Sequence, residues 1–300
     1  MLKRKILYVF LILLVPALLL AEEVTQTGKQ LSFWLLFFSP KNFIILGFSI
    51  LTVALLLTGK LKVRLRVVVL LSSFVLFGIL SSFIPSFFIS PSPVCATTKP
   101  FWMEFHIQFV ASLIFFGILS IIATKGFCGS ACPIGALQEL IYLLPIFKNI
   151  KRKKIPFVLS NIIRIGIACI FLTVVFITGF SIYEYINMFD LIHWEFNLPL
   201  ISLFSLLVLI FVFIVLSLFF YRPYCYFICP LGLASWVFEQ FAPLKVRVKK
   251  ESCEACMMCV VSSPCPAVKN IINNNVIRAD CHLCGICLKK CNKNALYFGV

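Results

Sequence analysis

Cys253-Glu-Ala-Cys256-Met-Met-Cys259-Val-Val-Ser-Ser-Pro-Cys265-Pro266 and Cys281-His-Leu-Cys284-Gly-Ile-Cys287-Leu-Lys-Lys-Cys291 set the reading of the C-terminal region. Three cysteines at successive intervals of three wrap three corners of an iron–sulfur cube from one tight loop. A remote fourth cysteine holds the last corner, and in two-cluster ferredoxins it comes from the other motif. The crossing predicts two [4Fe–4S] clusters. One sits on Cys253, Cys256, Cys259 and Cys291, the other on Cys281, Cys284, Cys287 and Cys265. Structural zinc, the bland alternative, draws paired C-x2-C arms from separated loops and needs no third cysteine on the same turn. The gap from Cys259 to Cys265 is longer than the usual three residues, and Asn292 replaces the expected proline, but neither change removes a ligand. Around the motifs, Lys245–Lys249 alternates like a short strand, Asn273–Asn275 reads as a turn and Ala295–Phe298 as a closing strand. Residues 245–300 are thus expected to form a small α+β ferredoxin-like domain.

Upstream, the chain changes character. Hydrophobic residues make up 61% of the sequence and charged residues only 13%, which is a membrane-protein composition. Apolar stretches at 6–21, 42–58, 67–87, 105–124, 156–180 and 198–221 predict a polytopic α-helical membrane domain of five or six spans. Residues 1–21 are a signal peptide or first helix, and residues 22–244 are the transmembrane domain proper. Lys and Arg concentrate on one side of this threading, together with everything after Arg222. The cluster domain and C-terminus are therefore expected in the cytoplasm of a multi-pass inner-membrane protein. A basic surface facing lipid accounts for the formal charge of +16. With no basic stripe interleaved with aromatics, no nucleic-acid partner is expected. Arg164, inside the fifth span, is expected to extend its guanidinium to the interface. Arg66 counts among the flanking cytoplasmic charges.

A repeat lies within the membrane domain. Gly126-Phe-Cys128-Gly-Ser-Ala-Cys132-Pro-Ile-Gly135 follows one span and Pro223-Tyr-Cys225-Tyr-Phe-Ile-Cys229-Pro-Leu-Gly232 another. Each continues into an amphipathic stretch, a proline and a basic run, so a duplicated helix-pair unit is expected. Cysteines four apart share a helical face, and Cys128, Cys132, Cys225 and Cys229 are candidate redox or metal-binding thiols. Cys95 and Cys169 read as single inert thiols, and His282 as an accessory or exposed residue. Glu104, His106, Asp190, His193 and Glu195 are candidates for a quinol site at the outer face.

The two C-x3-C-P motifs at span ends, followed by tandem cluster motifs, resemble the polyferredoxin membrane proteins of the NapH, NosR and CcoG type over residues 105–300. The resemblance implies a membrane-bound electron carrier with two cytoplasmic [4Fe–4S] clusters. It would relay electrons between the quinone pool or a cytoplasmic donor and a partner redox complex, as a component of an oxidoreductase system rather than a stand-alone enzyme. The CcoG likeness implies a second function, copper or other metal handling during assembly. The flavin-binding domain of the NosR type has no counterpart in this sequence.

Overall fold

The computed structural model describes residues 37–84, 87–101, 107–145, 154–179, 181–184, 186–189, 200–273, 275 and 277–300. The expected signal peptide or first helix and the quinol candidates Glu104, His106, Asp190, His193 and Glu195 lie outside them.

The N-terminal part is helical. Helices α1 (Pro40–Leu57), α2 (Val63–Ser82) and α7 (Phe157–Thr178) are each long and apolar enough to cross a membrane. Proline at the first helical position starts α1, and a left-handed Gly179 ends α7. Helix α2 widens to a π turn over Val75–Ile79 and tightens to a 3-10 turn over Leu80–Ser82. Between these come α3 (Pro93–Thr98), α4 (Ile107–Ile122), α5 (Gly126–Ser130) and α6 (Pro133–Leu143). After α7 come α8 (Leu200–Phe219), α9 (Pro223–Phe227) and α10 (Pro230–Glu239). Helix α4 and the Leu207–Phe219 part of α8 are apolar but shorter than the three spanning helices. The outward faces keep large apolar side chains exposed, among them Ile162, Phe176 and Ile177 on α7 and Phe204 and Phe211 on α8. Such a surface suits lipid, not water.

The duplicated units interlock. Helix α6 follows α4 in sequence yet packs against α2 and α8. Helix α10 follows α8 yet packs against α4 and α7. Each module therefore leans on a long helix of the other unit. From the opposite ends of the helices, two loops fold inward to meet them. Asn187 Nδ2 donates to Ser92 Oγ at 3.4 Å, Tyr183 Oη to Ile228 O at 3.2 Å, and Tyr224 Oη to Ile186 O at 3.3 Å.

The C-terminal domain is closed by two antiparallel strands, β1 (Lys245–Val248) and β2 (Leu296–Gly299), with Lys245 opposite Gly299 and Val248 opposite Leu296. Between them lie the short helices α11 (Met258–Ser262), α12 (Ala267–Ile272) and α13 (Ile286–Lys289). Its core, Val246, Val268, Ile271, Leu283 and Phe298, is continuous with Leu55, Leu56 and Leu61 at the end of α1. The domain is seated on the helices, not tethered beside them.

Candidate functional site

Both C-x2-C-x2-C segments take one backbone form. The third and fifth residues of each are left-handed: Ala255 (φ 50°) and Met257 (φ 57°) in the first, Leu283 (φ 53°) and Gly285 (φ 68°) in the second. Three of the four carry side chains, which rarely adopt this conformation, so the curl is imposed by the loop's geometry. In each segment the third cysteine, Cys259 or Cys287, falls in the first turn of the following helix. There backbone N–H groups oppose, without outweighing, the burial that raises both thiols.

The fourth cysteines cross over. Cys253, Cys256, Cys259 and Cys291 line one cavity, with Ala295 N donating to Cys291 Sγ at 3.2 Å. The thiols of Cys265 and Cys284 are hydrogen-bonded to each other, and Ser263 Oγ lies 3.4 Å from Cys265 Sγ. That hydrogen bond and burial raise the Cys284 thiol, and burial pushes Cys281 up to about 12. Buried sulfurs become thiolates only against a compensating cation. A donor set of four sulfurs in a loop curled to present them suits a cubane iron–sulfur core. The first set includes the exposed Cys256, whereas Cys259, Cys265, Cys284 and Cys287 are buried.

The modules bring their cysteines together. Cys128, Cys132, Cys225 and Cys229, each less than a tenth exposed, line a single enclosed cavity with Pro93, Phe189 and His282. The repeat C-x3-C-P-x-G has a physical basis here. The proline starts the second helix of each module. A Cβ on Gly135 or Gly232 would stand 3.2 Å or 2.6 Å from the carbonyl of Cys128 or Cys225. At Gly232 only glycine lets the helix return so close to the first cysteine, and at Gly135 the nearest obstacle to a Cβ is Arg222 Nη1, at 2.7 Å. The cysteine before the proline caps that helix, and in the first module Cys132 Sγ accepts from Gly135 N at 3.5 Å. Among the described residues, no group of three or more His, Cys, Asp or Glu side chains closes on a point that would hold one ion.

Two buried ion networks clamp these parts together. Glu139 accepts from Arg66 Nε at 2.9 Å, Arg222 Nη2 at 2.5 Å and Tyr221 Oη at 2.8 Å. The same arginines hold backbone carbonyls: Arg66 Nη2 donates to Gly129 O at 2.6 Å, and Arg222 Nη1 donates to Cys128 O. Asp280, one residue before the second cluster motif, pairs with Lys125 and with Arg164 Nη2 at 3.0 Å. Lys125 Nζ and Arg164 Nη1 also donate to Gly232 O, at 2.7 and 3.2 Å. Lys125 and Arg222 hold equivalent places, each three residues before the first cysteine of its module, and each reaches into the other module. Glu239 Oε1 accepts from Cys281 N at 3.2 Å, and Trp236 Nε1 donates to Arg278 O at 2.8 Å.

Two expectations are corrected and a third is narrowed. Arg164 does not extend to the interface: it is 2% exposed, because Asp280 and Gly232 O receive it inside the protein. Arg66 is no flanking charge, since α2 begins at Val63 and turns it inward to Glu139. His282 is not exposed; of the two places expected for it, the accessory one is where it stands. It is 2% exposed, between the Tyr221 and Tyr226 rings, on the wall of the four-thiol cavity.

Two copies of the 4Fe–4S binding domain match the chain, at residues 105–154 and 202–249. These segments contain the C-x3-C-P modules and stop short of the eight C-terminal cysteines. The uncharacterized protein MJ0750 of Methanocaldococcus jannaschii is 31% identical over 197 residues, covering 64% of this chain and 79% of that protein. The chain belongs to the family of MJ0750. A second protein of that organism, the uncharacterized protein MJ0749, is 29% identical over 186 residues, 60% of this chain and 67% of that protein. YccM of Escherichia coli K12, named as a candidate electron transport protein, is 27% identical over 203 residues, 62% of this chain and 54% of its own length. No solved structure matches. The two domain copies and the likeness to YccM support an iron–sulfur electron-transfer role.

Proposed function

We propose that the chain is a membrane-bound iron–sulfur electron-transfer protein of the polyferredoxin type. Cys253, Cys256, Cys259 and Cys291 hold one [4Fe–4S] cluster, and Cys281, Cys284, Cys287 and Cys265 hold the second. The observation that carries this reading is the crossover, which sets Cys291 on the wall shared by Cys253, Cys256 and Cys259 and puts Cys265 against Cys284. When bound, each cubane accepts and releases single electrons at a potential set by its surroundings. The chain supplies those surroundings. Ala295 N–H and Ser263 Oγ–H donate to ligand sulfurs, and Val268, Leu283 and Phe298 keep water from the buried set. The first set, whose Cys256 is exposed, offers the entry or exit for a partner redox protein; the second faces the membrane helices and, through them, a quinone. The cluster domain lies on the cytoplasmic side of the inner membrane.

Protein purified anaerobically in detergent should contain iron and acid-labile sulfide, and reduction should give the electron paramagnetic resonance of two interacting cubanes. Cys256→Ser should remove one signal and Cys284→Ser the other. Stoichiometric zinc without iron would overturn the reading. Reduction of the clusters by added quinol in membranes tests the quinone link.

A further inference from the structure

We propose that Cys128, Cys132, Cys225 and Cys229 jointly hold a third iron–sulfur cluster, with His282 donating a hydrogen bond to it. The proposal rests on the electron-transfer reading above and extends it to a part of the molecule which that reading leaves without a role. Neither matched copy of the 4Fe–4S binding domain supplies four thiols; each brings two, and the fold gathers all four around one void. Like the cavity lined by Cys253, Cys256, Cys259 and Cys291, that void is walled by four cysteines from two separate stretches of chain.

Charge and hydrogen bonding point the same way. Four buried cations surround the modules against three buried carboxyl groups: Arg66 and Arg222 share Glu139, Lys125 and Arg164 share Asp280, and Glu239 stands near Lys125, Arg164 and Asp280. The excess positive charge is what a core ligated by four thiolates, anionic as a whole, would offset. Both helices that follow the second cysteines, α6 and α10, also turn their N-termini to the site. His282 is the second, independent sign. It is 2% exposed, it lines the cavity, and its Nδ1 has no partner in the protein. A buried polar nitrogen without a partner is costly, and a cluster sulfur in the cavity would satisfy it. Because His282 lies between Cys281 and Cys284, it places this centre beside the second ferredoxin cluster. Pro93, which starts α3, and Phe189 complete the wall of the cavity.

The test compares the full chain with a variant carrying Cys→Ser at positions 128, 132, 225 and 229, both purified anaerobically in detergent. The wild-type protein should exceed the variant in iron and in acid-labile sulfide by equal amounts, while the variant keeps the paramagnetic signals that depend on Cys256 and Cys284. Equal iron in the two proteins, iron without sulfide, or copper or zinc lost in its place would each overturn the proposal. Should the variant fail to accumulate, Mössbauer spectra of the wild-type protein decide: iron in a third cluster environment supports the proposal, and iron confined to the two ferredoxin sets overturns it. His282→Phe should retain the iron and move one reduction potential downward, since a donated hydrogen bond stabilises the reduced core. Unchanged potentials would remove His282 from the assignment. Failure of the two-cluster reading is seen separately, in the Cys256 and Cys284 variants.

Discussion

At the residue scale, the informative groups are the buried charges. Burial alone would raise the Glu139 carboxyl, but Arg66 and Arg222 outweigh it and hold it at about 2. Its folded value lies below its ordinary value of 4.5, so the stability it contributes is complete above that pH and is lost as pH falls through about 2. Glu139→Gln should abolish this acid dependence and cost roughly 3–5 kcal/mol at neutral pH, because two buried guanidiniums lose their carboxylate. Unfolding in detergent across a pH series measures both effects; a variant as stable as the parent would show the network to be idle. Asp280→Asn should free the cluster domain from Lys125 and Arg164, read as faster amide hydrogen exchange over residues 278–291 with little change in α1. None of this was legible in the sequence. Arg66 and Glu139, or Lys125 and Asp280, are far apart along the chain, and an isolated arginine in an apolar run looks the same whether it reaches lipid headgroups or a carboxylate.

Elements differ in how much of themselves they disclose. The curled form of the two cysteine loops and the pairing of the C-x3-C-P modules could be read because their geometry is written in local spacing, and the strands β1 and β2 because they alternate. Helix α2 begins several residues earlier than its apolar stretch does, since burial against Glu139 makes Arg66 tolerable inside it. Glycine substitutions separate the tight places from the loose ones. Gly129→Ala would set a Cβ 2.7 Å from His282 O, and Gly232→Ala one 2.6 Å from Cys225 O, so both should cost more than about 2 kcal/mol, and the first should also loosen the domain contact. Gly166 in α7 has nothing within 4 Å of such a Cβ, and Gly166→Ala should be neutral or stabilise by about 0.5–1 kcal/mol. Thermal midpoints of the three variants check the contrast; equal losses would refute the packing account.

For the whole molecule, the cluster domain is bolted to the helices by Asp280, Glu239 and the backbone of His282, so it should move with them as one body. The sidedness expected from the distribution of charge is open to direct trial. Protease added to inverted inner-membrane vesicles should cut the exposed Met257–Val261 region, and protease added to intact spheroplasts should spare it; the reverse result would place the domain outside. The composition pointed to membrane association, which three helices long and apolar enough to span a membrane support, and the repeat pointed to a duplication, which two matched copies of one domain support. The mutual seating of the two halves was not legible, because a sequence comparison aligns the copies without saying that each is completed by the other.

That seating makes each half the other's counter-charge. Lys125 ends on Gly232 O and Asp280, and Arg222 on Glu139 and Cys128 O, so a lone half would carry a sequestered cation with nowhere to deliver it. Split between α6 and α7 and co-expressed, the two pieces should find each other, and neither should persist alone.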